Sequence, residues 1–261
     1  MNKYVRDYFK EERGDTDHGR FHKVITVNRD MPWAVVQQES KMTPRGWFEL
    51  VHIDIESRIE FVEQFWNLQL AEHPLVESFF EKVEDIVLFL IQQKEGEPFN
   101  PHLVYSLKDD AGFYQGTPPF SDVIIEEHSF FHGEPLPADY LAFQRIHGQF
   151  GKNGDSGIYN IKQLLDGWKF LQEFLKKSDR ILFYGGEPID RKKLIPFYNS
   201  HERYSWQCFC ADCLMEEEMG NTLIDHETIS LLMHNNEGFK CLVFPSFLNW
   251  FEFYLQSPLE V

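Results

Sequence analysis

The spacing of apolar residues changes along the first half of the chain. The first twenty residues are polar and charged and predict a loosely held end, so regular structure is expected to begin near Phe21. Runs of β-branched and aromatic residues follow, separated by Pro- and Gly-containing segments. They predict three strands of an antiparallel meander at residues 22–28, 33–38 and 46–53.

Helical spacing replaces this pattern after Asp54, a residue type that is common at helix N-caps. Apolar residues recur every three or four positions until His73-Pro74 interrupts them. A second helix is predicted from Leu75 to about Lys94, because one stripe collects Val76, Phe79, Phe80, Val83, Val87 and Leu90. Its acidic residues would form a solvated face or, alternatively, a partner surface.

A segment rich in Gly, Pro and Asp at residues 109–119 follows a predicted strand at 102–107 and is the preferred internal boundary. We therefore expect an N-terminal α+β region at 1–120 and a second domain at 121–261. In the second domain, strands are predicted at 123–127, 180–184, 194–198, 206–211, 222–225 and 229–234. Helices are predicted to open at Pro137, to run from Ile161 to Lys176, and to follow Pro245-Ser246.

Composition and charge narrow the possible functions. With 261 residues, 43% hydrophobic and 25 of them Phe, the chain has enough apolar material for a compact α+β fold. Its 42 acidic and 25 basic residues leave a net charge of −17, which disfavours direct binding to nucleic acid or to anionic membranes. No apolar stretch approaches the roughly 20 residues of a membrane span, and no signal peptide is apparent, so a cytoplasmic location is expected.

Three of the four cysteines cluster in Cys208-Phe-Cys210-Ala-Asp-Cys213. They offer three thiolates for zinc, with His201 or Cys241 as a fourth ligand. If residues 206–211 form a strand, alternation instead places Cys208 and Cys210 on one face as buried core residues. We favour buried, reduced thiols and no metal, and keep a zinc-dependent enzyme or zinc-stabilised protein as the alternative.

No catalytic or cofactor-binding motif stands out in the remaining sequence. Neither a phosphate-binding glycine loop, a zinc-binding H-E-x-x-H helix nor a nucleophile elbow is present. We therefore expect a protein that is not an enzyme, has no cofactor and has no catalytic residues.

The segment Leu136-Pro137-Ala-Asp139-Tyr140-Leu-Ala-Phe143, followed by His147-Gly148, resembles the helix start of the SUKH superfamily. Further landmarks follow in family order: Leu194-Ile-Pro-Phe197, Cys208-Phe-Cys-Ala-Asp212, and Ser246-Phe247 with Trp250 and Phe251. The resemblance covers roughly residues 121–257. His147 stands where family members usually have Asn.

The resemblance implies a non-enzymatic α+β domain with a mixed, largely antiparallel sheet and packed helices. Bacterial members resemble immunity proteins that occlude a toxin, frequently a nuclease, and fungal members are regulators of cell-wall assembly. Since a nuclease carries a basic groove, an acidic protein is well suited to occupy it. We therefore predict an immunity-type or regulatory module that binds a basic protein partner.

The acidic runs at residues 77–85 and 216–218 are the candidate contact surfaces, with exposed aromatic residues as possible anchors. A further alternative is a structural protein that self-associates through its many Phe and Trp side chains. The sequence assigns neither an oligomeric state nor a binding face.

Overall fold

Antiparallel strands and short helices alternate in the computed structural model. It describes residues 1–10, 20–153, 157–176, 182–184, 187–200, 205–215, 218–224 and 243–256. By their contacts, these residues divide into two units. The first contains the described residues of Met1–Pro119 together with Phe150–Asn153, and the second contains Phe120–Gln149 together with the described residues of 154–257. The predicted α+β fold class is confirmed.

Within the described residues, the helices are α1 (Lys3–Lys10), α2 (Trp33–Glu39), α3 (Arg45–Leu50), α4 (Ile55–Gln69), α5 (Leu75–Phe80), α6 (Asp122–Glu127), α7 (Ala138–Phe143), α8 (Leu164–Leu175) and α9 (Phe247–Gln256). The strands are β1 (Lys23–Thr26), β2 (Val83–Gln92), β3 (Asn100–Leu107), β4 (Phe113–Gly116), β5 (Phe130–Phe131), β6 (Glu134–Pro135), β7 (Phe150–Lys152), β8 (Gly157–Ile158), β9 (Leu182–Tyr184), β10 (Glu187–Ile189), β11 (Leu194–Ser200), β12 (Ser205–Met215), β13 (Glu218–Ile224) and β14 (Val243–Phe244).

The first unit is an antiparallel sheet in the order β1-β2-β3-β4-β7, covered by helices on both faces. On one face, α1 packs Phe9 against Phe89 and Phe113. On the other face, Trp66 of α4 and Phe79 of α5 pack together at 5.2 Å between ring centroids, and both contact rings of the sheet. Strands β3 and β4 contribute side chains to both faces of the sheet, because neighbouring residues of a strand point to opposite faces.

Three predictions for residues 1–53 are wrong. The predicted loose end is wrong for residues 3–10, since α1 buries Val5 and Phe9 on the sheet, and residues 11–19 lie outside the described residues. Residues 33–38 and 46–53 are not strands of a meander, because α2 and α3 occupy them, and only the first predicted strand is confirmed, as β1. Pro32 and Pro44 immediately precede these helices, and Pro is well tolerated where a helix begins because no amide donor is needed there.

The long helix predicted from Leu75 is also wrong beyond Phe80. Residues 83–92 form β2, which pairs with β1 on one side and β3 on the other. Most of its side chains are buried because helices cover both faces of the sheet. A strand that is buried on both faces has no alternation of apolar and polar residues, so its sequence is a continuous apolar run. Periodicity alone does not distinguish such a run from a buried helix.

The second unit has an antiparallel sheet in the order β8-β11-β12-β13-β14. Helix α8 covers one face, and its Leu171 and Leu175 lie in a cluster with Trp206 and Leu194. The other face packs against α7 and α9. The predicted strands within β9, β11, β12 and β13 and the helices α7, α8 and α9 are confirmed, whereas the strand predicted at 123–127 is helix α6. The strand predicted at 229–234 lies outside the described residues.

The four sequence landmarks of the second unit meet in one aromatic layer. Tyr140 of α7 lies 5.2 Å from Phe209 of β12 and 5.5 Å from Phe247 of α9, measured between ring centroids. Phe197 of β11 stacks on Phe209 at 4.1 Å. Asp139 joins α7 to α9, because its Oδ2 accepts a hydrogen bond of 2.9 Å from the Leu248 amide. These landmark residues therefore act as core and capping residues.

Candidate partner-binding surface

Two residues of the cysteine cluster, Cys208 and Cys210, lie in the core of the second unit. Cys208 and Cys210 are fully buried on the β12 face that α8 covers, with Phe209 on the opposite face, as alternation predicted. Cys208 is not part of a disulfide, but Cys210 is disulfide-bonded, so the expectation of reduced thiols is wrong at Cys210. The side chain of Cys213, and all of His201 and Cys241, lie outside the described residues.

This chemistry does not favour the zinc alternative. A disulfide-bonded cysteine has no thiolate to offer, because the thiolate is the form that binds metal. No group of three His, Cys, Asp or Glu side chains in the described part of the chain is arranged to hold a metal ion. Cys208 and Cys210 are best described as buried core residues of the second unit.

The structure divides the acidic run at 77–85 into buried and exposed parts. Asp85 is buried and pairs with Arg58 at 3.2 Å, and Glu84 accepts a hydrogen bond of 2.8 Å from the Ser106 hydroxyl. Burial lowers the pKa of the Arg58 guanidinium, while the Asp85 charge opposes that shift. Glu77 and Glu81 remain exposed and are the two members of the run that are available to a partner. In the second candidate run, residues 216 and 217 and the side chain of Glu218 lie outside the described part.

Helix α4 is held in place by its first residue and by its inner face. Asp54 caps the helix, accepting hydrogen bonds from the Ser57 amide at 2.9 Å and the Ser57 hydroxyl at 2.8 Å. On the inner face, the Trp66 indole donates to the Tyr105 hydroxyl at 3.2 Å. The helix is thereby fixed on the sheet, and its outer face has a defined orientation.

That outer face carries three exposed apolar side chains. Phe61 is 59% exposed, Phe65 is 38% exposed and Leu68 is 76% exposed. Their spacing of four and three residues places them along one side of the helix. We call these three residues the α4 stripe. Large apolar side chains grouped in this way are characteristic of interaction sites.

An open cleft of about 560 Å³ adjoins the stripe at the turn between α4 and α5. Ala71 and Glu72 form this turn with left-handed φ angles of 51° and 56°. The cleft is lined by Glu63, Gln64, Asn67, Leu68, Glu72, His73, Pro74 and Glu77. It therefore combines three carboxylates with one member of the α4 stripe, and we call it the acidic cleft.

The acidic cleft concentrates negative charge. Burial raises the pKa of the Glu63 carboxyl, and the nearby charges of Glu77, Glu60 and Glu81 raise it further. No described basic residue forms an ion pair with Glu63, Glu72 or Glu77. The cleft also lies at the C-terminal end of α4, where the helix dipole is negative and the last turn has no basic residue. The site is thus electrostatically suited to a cation.

Part of this surface was predictable from the sequence. Glu77 belongs to a predicted contact run, whereas the α4 stripe and the roles of Glu63 and Glu72 were not predicted. The sequence does indicate the stripe, because α4 has apolar residues on two sides and only one side can pack against the sheet. The meeting of Glu63, Glu72 and Glu77 depends on the left-handed turn, for which the sequence carries no Gly or Asn signal.

Comparison of the chain with protein-family models, with curated proteins and with solved structures finds no match. The resemblance to the SUKH superfamily therefore remains a prediction. Among the described helices, none combines the length and the apolar character needed to cross a membrane.

Proposed function

We propose that the protein is a non-enzymatic binding module, of the immunity or regulatory type, that binds and occludes a basic protein partner such as a nuclease toxin. The observation that supports this most is the acidic cleft, in which carboxylates without a described ion-pair partner lie beside exposed apolar side chains. Such charges raise the free energy of the unbound protein, and a basic partner would relieve that repulsion.

The charge of the whole chain supports the same proposal. A net charge of −17 speeds the encounter with a basic protein and repels nucleic acid and anionic lipid. The apolar neighbours of the cleft then supply the short-range contacts that charge steering alone does not provide. We therefore propose a protein partner and no direct contact with nucleic acid or membrane.

Retention of proteins from the native lysate tests this function. The purified chain is immobilised, and proteins retained at about 50 mM salt are compared with those retained at about 500 mM, where charge interactions between exposed groups are largely screened. We expect the same basic protein to be retained at low salt and released at high salt, as identified by mass spectrometry. Absence of any basic protein at low salt would contradict the proposal.

The zinc alternative and self-association have separate tests. Elemental analysis of purified protein showing one zinc per chain would support the zinc alternative. The exposed α4 stripe favours self-association as a second candidate function. Light scattering that reports a monomer at tens of micromolar would remove it.

We also propose a cytoplasmic location, and the state of Cys210 provides a test. Disulfides persist in oxidising compartments and are reduced in most cytosols. Lysis under denaturing conditions with a thiol-alkylating agent exposes the buried Cys210, which is expected to be modified if the protein is cytoplasmic. A Cys210 disulfide that survives this trapping would place the protein in an oxidising compartment.

A further inference from the structure

The geometry of the α4 stripe restricts the shape of what can cover it. From Phe61 to Leu68 the helix rises by about 10 Å, or roughly two turns. Apolar side chains spaced at i, i+4 and i+7 are the pattern by which two helices pack side by side. The stripe is therefore matched to a second helix with a similar apolar face.

The acidic cleft restricts the charge of that helix. Its carboxylates lie at one end of the stripe, since Leu68 belongs to both features. A volume of about 560 Å³ lies within the range that holds drug-sized ligands, so one or two long side chains fit in the cleft. Among the side chains that a helix could present, Lys and Arg carry the positive charge that pairs with these three carboxylates, which have no described ion-pair partner.

We propose that the α4 stripe and the acidic cleft together bind an amphipathic helix of the partner protein. Its apolar side chains lie on Phe61, Phe65 and Leu68, and its Lys or Arg side chains enter the cleft. This inference rests on the proposed function and adds to it the location of the contact and the form of the partner's segment.

Other occupants fit the charges poorly. In a symmetric pair, the second copy would bring the same net charge of −17, and repulsion between like charges would lower the affinity. An anionic membrane surface would be repelled for the same reason. A basic helix is the occupant that both the shape and the charge favour.

A designed peptide provides a defined probe. We would use a fluorescent 18-residue helix with Leu on one face and Lys on the other, chosen because about five turns exceed the length of the stripe. One control peptide replaces every Lys with Glu, and another has the same composition in an order that removes the apolar face. The full chain is expected to bind the first peptide at least about tenfold more tightly than either control, measured by fluorescence anisotropy.

Matched variants locate the binding site. The triple change Phe61→Gln, Phe65→Gln and Leu68→Gln is expected to weaken peptide binding by about tenfold or more, since Gln keeps helix propensity and removes the apolar contact. The pair Glu63→Gln and Glu77→Gln is expected to weaken it about fivefold at low salt.

Three exposed positions of the second unit serve as controls. Phe130 is 65% exposed and resembles Phe61 in type and exposure, and Glu126 and Glu127 are exposed carboxylates on α6. Phe130→Gln, and the pair Glu126→Gln and Glu127→Gln, are expected to leave binding unchanged. Hydrogen exchange should show peptide-dependent protection in α4 and at the α4–α5 turn.

Several results would overturn the inference. These are equal binding by the parent and the α4 variants, protection confined to another region, or tight binding of the Glu peptide. A dimer in light scattering that the triple variant abolishes would instead identify a second copy as the occupant.

The lysate experiment separates this inference from the proposed function. If a basic protein is retained equally by the parent and the triple variant, the function stands and the docking surface is wrong. If the Lys peptide binds at α4 but the lysate yields no basic protein, the surface stands and the proposed function fails.

Discussion

Glu63 carries a stability cost that a binding role would explain. Its pKa is raised by burial and by Glu77, Glu60 and Glu81, so its ionised form is disfavoured in the folded protein. Glu63→Gln is expected to stabilise the protein at pH 7 by a few tenths of a kcal/mol, a value that allows for solvent screening. Urea unfolding measures the change. Together with Glu77→Gln, the same substitution is expected to weaken peptide binding, which is the trade-off expected at a binding site.

The pH dependence of this gain follows from the direction of the shift. A raised pKa means that the folded state is favoured when Glu63 is protonated, and that this advantage is lost as the pH rises through the folded pKa. The gain from Glu63→Gln should therefore be present at pH 7 and vanish below the ordinary pKa of 4.5. An equal gain in unfolding free energy at all pH values would contradict the explanation by burial and charge repulsion at Glu63.

His102 of β3 makes a second prediction at the scale of one residue. Burial lowers the pKa of its imidazole to about 4, although the Gln115 side chain acts in the opposite direction. Between pH 6.5 and about 4 the unfolded chain binds a proton that the folded chain does not. As the pH is lowered from 6.5 to about 4, the free energy of unfolding should therefore decrease by up to about 1.4 kcal/mol per pH unit.

The comparison between the parent and His102→Gln isolates this residue, because carboxylates titrate in both proteins. We expect the parent to lose stability faster than the variant as the pH falls through this window, in urea unfolding at a series of pH values. Parallel curves would show that His102 does not stay neutral in the folded protein.

At the scale of elements, Asp139 links helices α7 and α9 across 109 residues of sequence. Its Oδ1 accepts from the Tyr140 amide at 2.8 Å, and its Oδ2 accepts from Leu248 in the first turn of α9. Asp139→Ala removes both acceptors and is expected to cost about 1–2 kcal/mol of unfolding free energy.

Asp139→Asn is the matched control for this prediction. Burial raises the pKa of the Asp139 carboxyl, against the effect of its hydrogen bonds to Leu248, Tyr140 and Ser246. An amide keeps one acceptor and avoids the buried charge, so Asn should cost less than Ala at pH 7. If the two variants unfold alike, the link between α7 and α9 does not depend on this side chain as an acceptor.

At the scale of the whole molecule, the net charge of −17 acts on folding and binding in opposite directions. Raising salt from about 20 mM to about 500 mM screens self-repulsion, so the unfolding temperature is expected to rise. The affinity for the Lys peptide is expected to fall over the same range. A scanning-fluorimetry series and an anisotropy series in the same buffers test both. An unfolding temperature that falls with salt would show that attractive surface pairs outweigh the net charge.

Prediction from sequence was accurate where local interactions dominate. Asp54 and the helical spacing after it identified α4, because capping and amphipathic periodicity depend on neighbouring residues. Alternation in β12 correctly placed Cys208 and Cys210 opposite Phe209. It did not identify the Cys210 disulfide, because the pairing of cysteines is a tertiary property.

The α+β class, the acidic charge and the elements with clear one-sided patterns were determined by the sequence alone. Tertiary structure decided that residues 83–92 form a strand, because burial on both faces erased their alternation. It also decided which acids remain available: Asp85 turns inward to Arg58, whereas Glu77 meets Glu63 and Glu72 in the acidic cleft. Burial and the meeting of distant side chains arise only when elements pack, so local patterns along the chain do not contain them.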